Sequence, residues 1–327
     1  MPIGSAIRAT AWQNAGMSKT LDIQGHRGAR GLLPENTLPA FARALSIGVT
    51  TLELDCAITR DGVVVVSHDS TLNPEITRDE VGRWITSNDL AIAHFTFEEL
   101  QRFDVGRIDP ASGYASRFSQ QRPVDGTRMP KLDEVFALAR KAGNDVVCFN
   151  IETKISPLHP ERTVTPAAFA GELIKVIKNN NLDHRATVQS FDWRTLAVVQ
   201  RAAPEIKTAY LSAQQNFTDN ILANAKASPW NADLHVSQFG GSVPRMIHAA
   251  GGAIWSPFWG EVNAANIDEA QSLGLKVTVW TVNTAADMRR MMALGVDGVI
   301  SDYPDVLRRV AGDNGYALPA PTPVAAP

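Results

Sequence analysis

Apolar side chains recur along the chain at the spacing of one helical face, and each such stretch stops at a glycine before a β-rich run. The pattern is clearest over Asn36–Ile47, where the apolar face consists of Leu38, Phe41, Ala42 and Leu45. Pro39 suits the first turn of this helix, and Gly48 supplies its end. The same apolar spacing, followed by a glycine, recurs over residues 131–142, 263–273 and 284–294. The sequence therefore predicts a series of helices that alternate with strands.

Eight β-rich runs predict eight strands, which lie near residues 21–26, 50–58, 145–153, 186–190, 206–211, 253–257, 276–282 and 297–301. Strands that alternate with helices indicate βαβ units and a parallel sheet. Eight of them favour an α/β fold of the TIM type, a closed (β/α)8 barrel, over an open doubly wound sheet. The fifth and sixth strands have the weakest pattern because proline, glycine and serine interrupt it.

The repeat also indicates how the chain is organised. Residues 21–312 are predicted to form one barrel domain, with an N-terminal extension over 1–20 and a tail over 313–327. The tail is rich in proline and alanine, and we expect it to be extended without a core role. Residues 70–130 depart from the repeat, since they are polar, rich in glycine and proline, and look helical only over 96–103. An insertion of this length after the second strand is typical of a lid or binding element, and a surface decoration is the alternative.

Composition and charge exclude several classes of protein. The 327 residues are 44% apolar and 20% charged, which excludes a wholly disordered chain. The net charge of -3 argues against an electrostatic nucleic-acid binder, and no uncharged apolar run approaches the ~20 residues that span a bilayer. The first 20 residues lack an apolar signal-peptide core, so the sequence as given indicates a cytoplasmic protein, or a periplasmic or secreted one if a leader has been removed. The oligomeric state is left open.

The cysteines are too few for a disulfide framework or a cysteine-ligated zinc site, because the chain has only 2. Alternate side chains of a strand share a face, which puts Cys56 outward with Leu54 and Cys148 inward with Glu152. Positions on opposite faces of the barrel wall argue against a disulfide, so both are expected to be free thiols.

The same alternation brings three carboxylates to the inside of the predicted barrel. Glu53 and Asp55 lie two residues apart on the second strand. Glu152 and Lys154 have the same spacing on the third. Inward carboxylates repel one another and are costly to bury without a cation, and a set of oxygen ligands suits Mg²⁺, Ca²⁺ or Mn²⁺ rather than zinc. The alternative is an internal salt-bridge network with Lys154 and Arg27.

Two histidines fall where barrel enzymes place catalytic groups. His26 follows the first predicted strand, and His68 follows a short hairpin that an Asp-Gly turn signal predicts. Near one metal ion, two histidines can serve as an acid and a base. Arg27 offers a planar guanidinium group that can donate paired hydrogen bonds to a phosphate or carboxylate. Gln189 and Trp280 fall at positions of the barrel interior, where a core role and a substrate contact are equally open.

The densest set of these groups lies in one block, QGHRGARGLLPENTLPAFARALSIGVTTLELDCAITRDGVVVVSHDSTLN. Related stretches follow in FNIETK (149–154), VQSF (188–191), VTVWTVN (277–283) and DGVISDYP (297–304). Together these motifs resemble the glycerophosphodiester phosphodiesterase family. The resemblance implies a TIM-type barrel that hydrolyses glycerophosphodiesters, which are small molecules, to an alcohol and sn-glycerol 3-phosphate.

Position by position, the resemblance implies that His26 and His68 form the acid and base pair and that Arg27 contacts the phosphate. It implies that Lys154 lies near the phosphate, and that the polar insertion shapes the mouth for glycerol and the leaving alcohol. The metal ligands that it implies for one divalent ion per chain, commonly Mg²⁺ or Ca²⁺, are Glu53, Asp55 and Glu152.

Two other functions are left open. A relative that acts on lysophospholipid head groups, in the manner of a phospholipase D, needs an exposed apolar rim for the acyl chain. The insertion offers aromatic residues for such a rim, namely Phe95, Phe97, Phe103, Tyr114 and Phe118. These residues suit a packed lid equally well. The second alternative is a non-catalytic barrel that binds a phosphate ligand, and the intact acid, base and metal candidates argue against it.

Overall fold

In the computed structural model, which describes residues 19–326, eight parallel strands close into a barrel with helices packed around it. The predicted (β/α)8 fold is confirmed. The predicted N-terminal extension, 1–20, lies outside the described residues apart from its last two positions.

All eight predicted strands are present, as are the four helices predicted from apolar spacing. The strands are β1 Asp22–Gly25, β2 Thr51–Ile58, β3 Val64–Val66, β4 Cys148–Thr153, β5 Ala186–Ser190, β6 Lys207–Ser212, β7 Gln214–Gln215, β8 Thr218–Asp219, β9 Ile254–Pro257, β10 Lys276–Val279 and β11 Gly298–Ser301. The helices are α1 Leu38–Ile47, α2 Phe97–Leu100, α3 Gly113–Arg117, α4 Leu132–Lys141, α5 Pro166–Asn179, α6 Trp193–Ala202, α7 Val243–Ala249, α8 Ala264–Ser272, α9 Ala285–Leu294 and α10 Pro304–Asp313. Within the described residues, none of these helices combines the length and the apolar character that crossing a bilayer requires.

The order of hydrogen-bonded strands shows how the barrel closes. The order β2, β4, β5, β6, β9, β10, β11, β1 returns to β2, because β1 pairs in parallel with both β11 and β2. The short strand β3 pairs antiparallel with the end of β2, which confirms the predicted hairpin. The strands with the weakest sequence pattern, β6 and β9, pair over residues 209–212 and 254–257.

Side-chain alternation divides the strand residues between the barrel interior and the helical layer. On β2, the fully buried side chains of Leu52, Leu54 and Cys56 belong to the hydrophobic core between strands and helices. The intervening acidic residues face the interior, as expected. Cys148 is half-buried at the start of β4, and both cysteines are free thiols, as the alternation predicted.

The first helix begins later than its apolar pattern suggests. It was expected from Asn36 but starts at Leu38, because Thr37 caps it and Asn36 adopts a left-handed φ of 56°. The side chain of Asn36 is instead hydrogen-bonded to Asp55 on β2, through Nδ2 to Oδ2 at 2.8 Å. A residue expected to lie in the helix therefore belongs to the interior of the barrel.

The third parallel strand also begins later than expected. It starts at Cys148 rather than at residue 145, because the Asn144 side chain accepts hydrogen bonds from two backbone N–H groups ahead of the strand. The preceding helix, α4, begins after Lys131, whose side chain has no oxygen to cap it. Glu134 compensates by accepting a hydrogen bond from the Lys131 N–H at 2.7 Å.

The insertion after the hairpin shares a small hydrophobic core with β2 and β3, separate from the main core. The buried members of this small core are Ala57, Val65, Leu72, Ile92, Leu100 and Met129. The aromatic side chains that pack against them include Phe95, Phe97 and Phe103. The stretch predicted to be helical, 96–103, contains the one-turn helix α2, which Thr96 caps. Three aromatic residues of the insertion are therefore packed against this core and do not form an apolar rim.

The C-terminal tail lies across the N-terminal end of the barrel. The Thr322 N–H donates a hydrogen bond to the Leu45 carbonyl at 2.9 Å, and Val324 and Ala326 pack against the main hydrophobic core. The tail is extended, as predicted. The expectation that it has no core role is wrong, because its apolar side chains cover core residues at this end of the barrel.

Candidate active site

Three carboxylates meet inside the barrel. Glu53, Asp55 and Glu152 each offer one oxygen, and these oxygens lie within 4.8 Å of one another. All three side chains are buried. The expected convergence of these groups on one side of the barrel wall is confirmed.

The strand register explains why the carboxylates meet. Asp55 on β2 pairs with Glu152 on β4, and Glu152 pairs with Gln189 on β5. Residues at one level of a parallel sheet point to the same face, so three polar side chains stand in a row. Gln189 Nε2 donates a hydrogen bond to Glu53 Oε1 at 2.7 Å. Gln189 therefore orients a carboxylate from a buried position.

One carboxylate oxygen lacks a partner among the described residues. Asp55 Oδ2 accepts a hydrogen bond from Asn36, whereas Asp55 Oδ1 is buried and accepts none. Lys154 Nζ lies 3.9 Å from this oxygen, which is beyond hydrogen-bond distance. A buried oxygen without a partner is costly. A bound cation would supply the missing contact.

The electrostatics of the cluster also fit a cation. Burial and the neighbouring Asp55 carboxylate raise the pKa of Glu53. Burial raises the pKa of Glu152 as well, and the Lys154 ammonium only partly offsets this. Burial acts in the same direction on Asp55, but nearby cations, chiefly Arg27, hold the pKa of Asp55 well below its usual range. Carboxylates that resist ionising together need added positive charge, and their oxygens suit a hard divalent ion.

Two cations adjoin the carboxylates. Arg27 Nη1 lies 2.5 Å from Glu35 Oε1, and Arg27 Nε lies 3.3 Å from Asp55 Oδ2. Lys154 Nζ lies 2.7 Å from Glu152 Oε1. The salt-bridge network considered from the sequence is therefore present. It does not satisfy the whole cluster, because it leaves Asp55 Oδ1 without a hydrogen bond.

His26 is held by a carboxylate. Its Nδ1 lies 2.6 Å from Asp302 Oδ1, and its Nε2 lies 3.9 Å from Glu53 Oε2. Asp302 also accepts two hydrogen bonds from Arg30 and one from Asn283. Burial and the Arg30 charge lower the pKa of His26 to about 4, against the opposing effect of Asp302. The neutral ring donates from Nδ1 to Asp302 and keeps its lone pair on Nε2.

His68 has similar support at a more open position. Its Nδ1 lies 2.9 Å from Asp69 Oδ1, and Asp69 Oδ2 accepts a hydrogen bond from Asn73 at 2.9 Å. The His68 side chain is 31% exposed, against 12% for His26. Each histidine therefore has one nitrogen fixed by a carboxylate and the other available to a ligand.

These groups line a cavity of about 420 Å³ at the mouth of the barrel, which we call the inner chamber. Its charged wall includes His26, Arg27, Glu53, His68, Glu152, Lys154 and Asp302. Its apolar wall includes Phe118 and a group of four further aromatic residues, Phe191, Phe217, Phe258 and Trp280. Adjacent rings in this set, from Phe217 through Phe258 and Trp280 to Phe191, have centroids 5.3, 5.7 and 5.3 Å apart. Trp280 thus borders the cavity.

A second cavity of about 400 Å³, the outer chamber, adjoins the first. The residues that line both are His68, Glu152, Lys154, Phe191, Phe217 and Trp280. His26 and Arg27 line only the inner chamber, whereas Trp230 lines only the outer one. His68 therefore stands where the two chambers meet.

The insertion contributes to the inner chamber through α3 and the residue after it. Tyr114 Oη donates a hydrogen bond to Glu35 Oε2 and accepts one from Arg30 Nη1 at 3.1 Å. The Phe118 ring packs on the Arg30 guanidinium, 4.6 Å from its centroid. Arg117 and Phe118 both line the cavity. This part of the insertion therefore belongs to the cavity wall, which favours a binding element over a surface decoration.

Several residues of the site were not assigned from the sequence. Asp302 directly follows β11, and Asn283 follows β10 by a few residues. Both residues could have been identified as site candidates from their positions alone, because functional groups of barrel enzymes follow the carboxyl ends of strands. Arg30 and Glu35 lie in the loop before α1, and Tyr114, which bonds both, is distant in sequence. Spacing alone gives no signal for such pairs.

The chain is similar to proteins of one family over most of its length. A model of the glycerophosphoryl diester phosphodiesterase family matches residues 26–306. A Caldanaerobacter subterraneus protein named glycerophosphodiester phosphodiesterase is 30% identical over 298 residues, covering 91% of this chain and 100% of that protein.

Solved structures give the same result. The crystal structure of a Silicibacter pomeroyi protein, named as a candidate glycerophosphoryl diester phosphodiesterase, is 34% identical with a TM-score of 0.81, covering 92% of this chain and 96% of that one. An Oleispira antarctica phosphodiesterase in complex with the product sn-glycerol-3-phosphate shares the fold, with a TM-score of 0.64 and 21% identity, covering 90% and 97% of the two chains.

Fold and sequence agree on one assignment. The barrel and the family match together make the chain an enzyme, a phosphoric diester hydrolase. It belongs to the glycerophosphoryl diester phosphodiesterase family, since the family model spans residues 26–306. The family resemblance inferred from the sequence is confirmed.

Proposed function

We propose that the protein hydrolyses glycerophosphodiesters to an alcohol and sn-glycerol 3-phosphate, with one divalent ion, Mg²⁺ or Ca²⁺, held by Glu53, Asp55 and Glu152. One observation carries the proposal: a single cavity joins two carboxylate-supported histidines to the candidate metal site. The cationic side chains on its wall suit an anionic phosphodiester. The product bound to the Oleispira relative supports the same class of substrate.

Arg27 and Lys154 are proposed to bind the phosphate. When bound, a divalent ion at the carboxylates supplies Lewis-acid neutralisation of charge on the phosphoryl oxygens. Burial opposes the charge on Lys154, but Glu152 and Asp55 raise the pKa of its amine, so it stays an ammonium group. Fixed charges aimed at the phosphate stabilise the negative charge that develops during cleavage.

His26 and His68 are proposed as base and acid. Because Asp302 occupies Nδ1 of His26, Nε2 is the atom that accepts the proton of the attacking hydroxyl. His68 lies where the two chambers meet, and it donates a proton to the leaving alkoxide as the phosphorus–oxygen bond breaks. Each turnover leaves His26 protonated and His68 neutral, and exchange with solvent restores both.

The attacking hydroxyl belongs either to water or to the glycerol 2-position. Water gives sn-glycerol 3-phosphate directly, whereas the 2-hydroxyl gives a cyclic phosphate that water then opens. A substrate with hydrogen in place of the 2-hydroxyl separates the two routes. Undiminished turnover of that substrate excludes the cyclic route.

The proposal is tested by a screen of several glycerophosphodiesters with chelator treatment and metal add-back. We expect release of sn-glycerol 3-phosphate, its loss in the chelator, and its recovery with Mg²⁺ or Ca²⁺. No release from any diester, or release that does not depend on metal, contradicts the proposal.

The histidine assignment has its own test. His26→Ala and His68→Ala are expected to fold normally and to lose roughly 10²- to 10⁴-fold in kcat, the usual contribution of a positioned acid or base. His159→Ala is the matched control, because the His159 side chain is 54% exposed and lines neither chamber. Near wild-type rates in either site variant count against the assignment.

Two alternatives are separated by simple assays. The lysophospholipase D alternative needed an apolar rim on the insertion, and three of its five aromatic residues are packed against the small core that the insertion shares with β2 and β3. Comparing glycerophosphocholine with lysophosphatidylcholine as substrates decides between the two activities. A non-catalytic phosphate binder would bind glycerophosphodiesters in excess metal without releasing sn-glycerol 3-phosphate.

A further inference from the structure

The outer chamber differs from the inner chamber in chemistry. The ionic groups confined to the inner chamber include Arg27, Arg30, Glu53 and Asp302. Four aromatic residues line the outer chamber, namely Phe191, Phe217, Trp230 and Trp280, and its ionic groups, Asp69, Glu152 and Lys154, accompany His68. Small hydroxyl groups complete its wall, from Ser70, Ser156 and Thr218. The two adjoining cavities therefore suit two different parts of one molecule.

Charge on the outer wall favours a neutral occupant. The Asp69 carboxylate is already hydrogen-bonded to His68 and Asn73, and the Glu152 carboxylate is already hydrogen-bonded to Lys154. The carboxylates that line this chamber are therefore engaged, and the Lys154 ammonium adds positive charge. Aromatic faces can hold a cation as well as an apolar group, but the nearby Lys154 ammonium and the engaged carboxylates disfavour a cationic occupant here.

Phe217 extends the aromatic wall to the chamber mouth. It lies in the turn between β7 and β8, and its side chain is 65% exposed although it packs on Phe258. An exposed aromatic ring at the rim of a cavity buries apolar surface when an apolar ligand enters. The rim thus offers exposed apolar surface that an apolar group can cover.

We propose that the outer chamber is the subsite for the leaving alcohol and that it takes alcohols with an apolar chain or ring. The inference rests on the proposed function, because it is the His68 proton donor that identifies the leaving side. The glycerol phosphate half then occupies the inner chamber, with its phosphate beside Arg27 and Lys154. His68 lies between the two halves, next to the bond that breaks.

A series of sn-glycero-3-phosphate esters of ethanol, butanol, hexanol and octanol tests this assignment, since the leaving alcohols are similar in acidity. We expect kcat/KM to rise about two- to fourfold per methylene until the chamber is filled, as burial of a methylene predicts. A flat series, with glycerophosphoglycerol still hydrolysed, overturns the subsite and leaves the proposed function standing. No hydrolysis of any ester contradicts the proposed function itself.

Variants connect the chain-length effect to the chamber. Phe217→Ala and Trp230→Ala are expected to reduce the gain per methylene to less than half of the wild-type value. Val81→Ala is the control, because Val81 is 67% exposed and lines neither chamber. A wild-type gain in both chamber variants overturns the proposal.

Two matched pairs of ligands test where the apolar group binds and whether charge matters. An octyl group on the leaving alcohol should raise kcat/KM more than the same group on the glycerol 1-hydroxyl, and the reverse result overturns the proposal. 3,3-Dimethylbutanol and choline have the same shape and differ in charge. We expect 3,3-dimethylbutanol to be the stronger competitive inhibitor, whereas stronger inhibition by choline shows a cation cage and overturns the assignment.

Discussion

The imidazole Nδ1 of His26 lies 2.6 Å from Oδ1 of Asp302, although 276 residues separate them in the chain. The contact forms because β1 and β11, the first and last strands, are neighbours in the closed sheet. Arg30 binds both oxygens of Asp302. The carboxylate is therefore fixed before substrate arrives, and it fixes the ring orientation and tautomer of His26.

Asp302→Asn is expected to lower kcat by roughly 10²- to 10⁴-fold while changing KM little. The amide can donate to Nδ1 of His26, which moves the ring proton to Nε2 and removes the lone pair that accepts the substrate proton. The measurement is a comparison of kcat with KM, together with ¹⁵N NMR of the histidine side chains. The spectrum should report Nδ1–H in the wild type and Nε2–H in the variant.

Asp313→Asn, an exposed site at the end of α10, is the matched control for that change and should behave as the wild type. Loss of the buried Arg30 pairing also reduces stability, so both variants are compared below their unfolding temperatures. An unchanged tautomer with an unchanged kcat would show that Asp302 does not position His26.

His68→Ala should respond to the acidity of the leaving group. An alkoxide needs a proton as it leaves, whereas a nitrophenolate leaves without one, so the variant should recover most of its kcat with a nitrophenyl ester. His26→Ala should stay impaired with both esters, because its proposed role precedes bond cleavage. Recovery of His26→Ala in place of His68→Ala would reverse the two assignments.

Much of the barrel and of the acidic cluster could be predicted from the sequence because their signals are local. A period of two places Glu53 and Asp55 on one face of β2, and the same rule brings Glu152 inward on β4. Apolar spacing and glycine stops predicted four helices in the same way. Such patterns involve only a few neighbouring residues, so they can be recognised without knowledge of the fold.

The missed residues depend on contacts that spacing does not encode. Asp302 reaches His26 only because the barrel closes, and Tyr114 reaches Glu35 only because the insertion folds back on the barrel mouth. Asn36 fitted a helical pattern, but its bond to Asp55 favours a left-handed turn instead. Contacts between distant segments decided each of these positions.

Gln189→Leu should weaken metal binding without affecting the phosphate-binding residues. The change removes the donor to Glu53 Oε1 at nearly constant volume, and loss of a group that orients a ligand typically costs 10- to 100-fold in metal affinity. Calorimetric titration with Mg²⁺ or Ca²⁺ measures the effect. KM for a glycerophosphodiester at saturating metal should stay near the wild-type value.

The exposed Gln271→Leu is the control for Gln189→Leu and should bind metal as the wild type does. A raised KM at saturating metal, with metal affinity unchanged, would identify Gln189 as a substrate contact instead. The two outcomes separate the support of a metal ligand from a substrate contact, which is one of the two roles that the sequence left open for this residue.

Tyr114→Phe should loosen the contact between the insertion and the inner chamber. The change removes the hydroxyl that bonds both Glu35 and Arg30, and a buried hydrogen bond to a charged group contributes about 1.5–3 kcal/mol. Glu35 also holds Arg27. We therefore expect KM to rise about tenfold, kcat to change much less, and proteolysis within residues 70–130 to accelerate.

Tyr316→Phe is the matched control, because Tyr316 lies beside Lys19 near the opposite end of the barrel. If Tyr114→Phe changes neither KM nor the rate of proteolysis, the insertion is held by the small core that it shares with β2 and β3. If KM rises while the rate of proteolysis stays constant, the hydroxyl positions the arginines directly. Only a rise in both KM and the rate of proteolysis supports the expectation. It would show that the hydrogen bonds of the Tyr114 hydroxyl both attach the insertion and help to position the phosphate-binding residues.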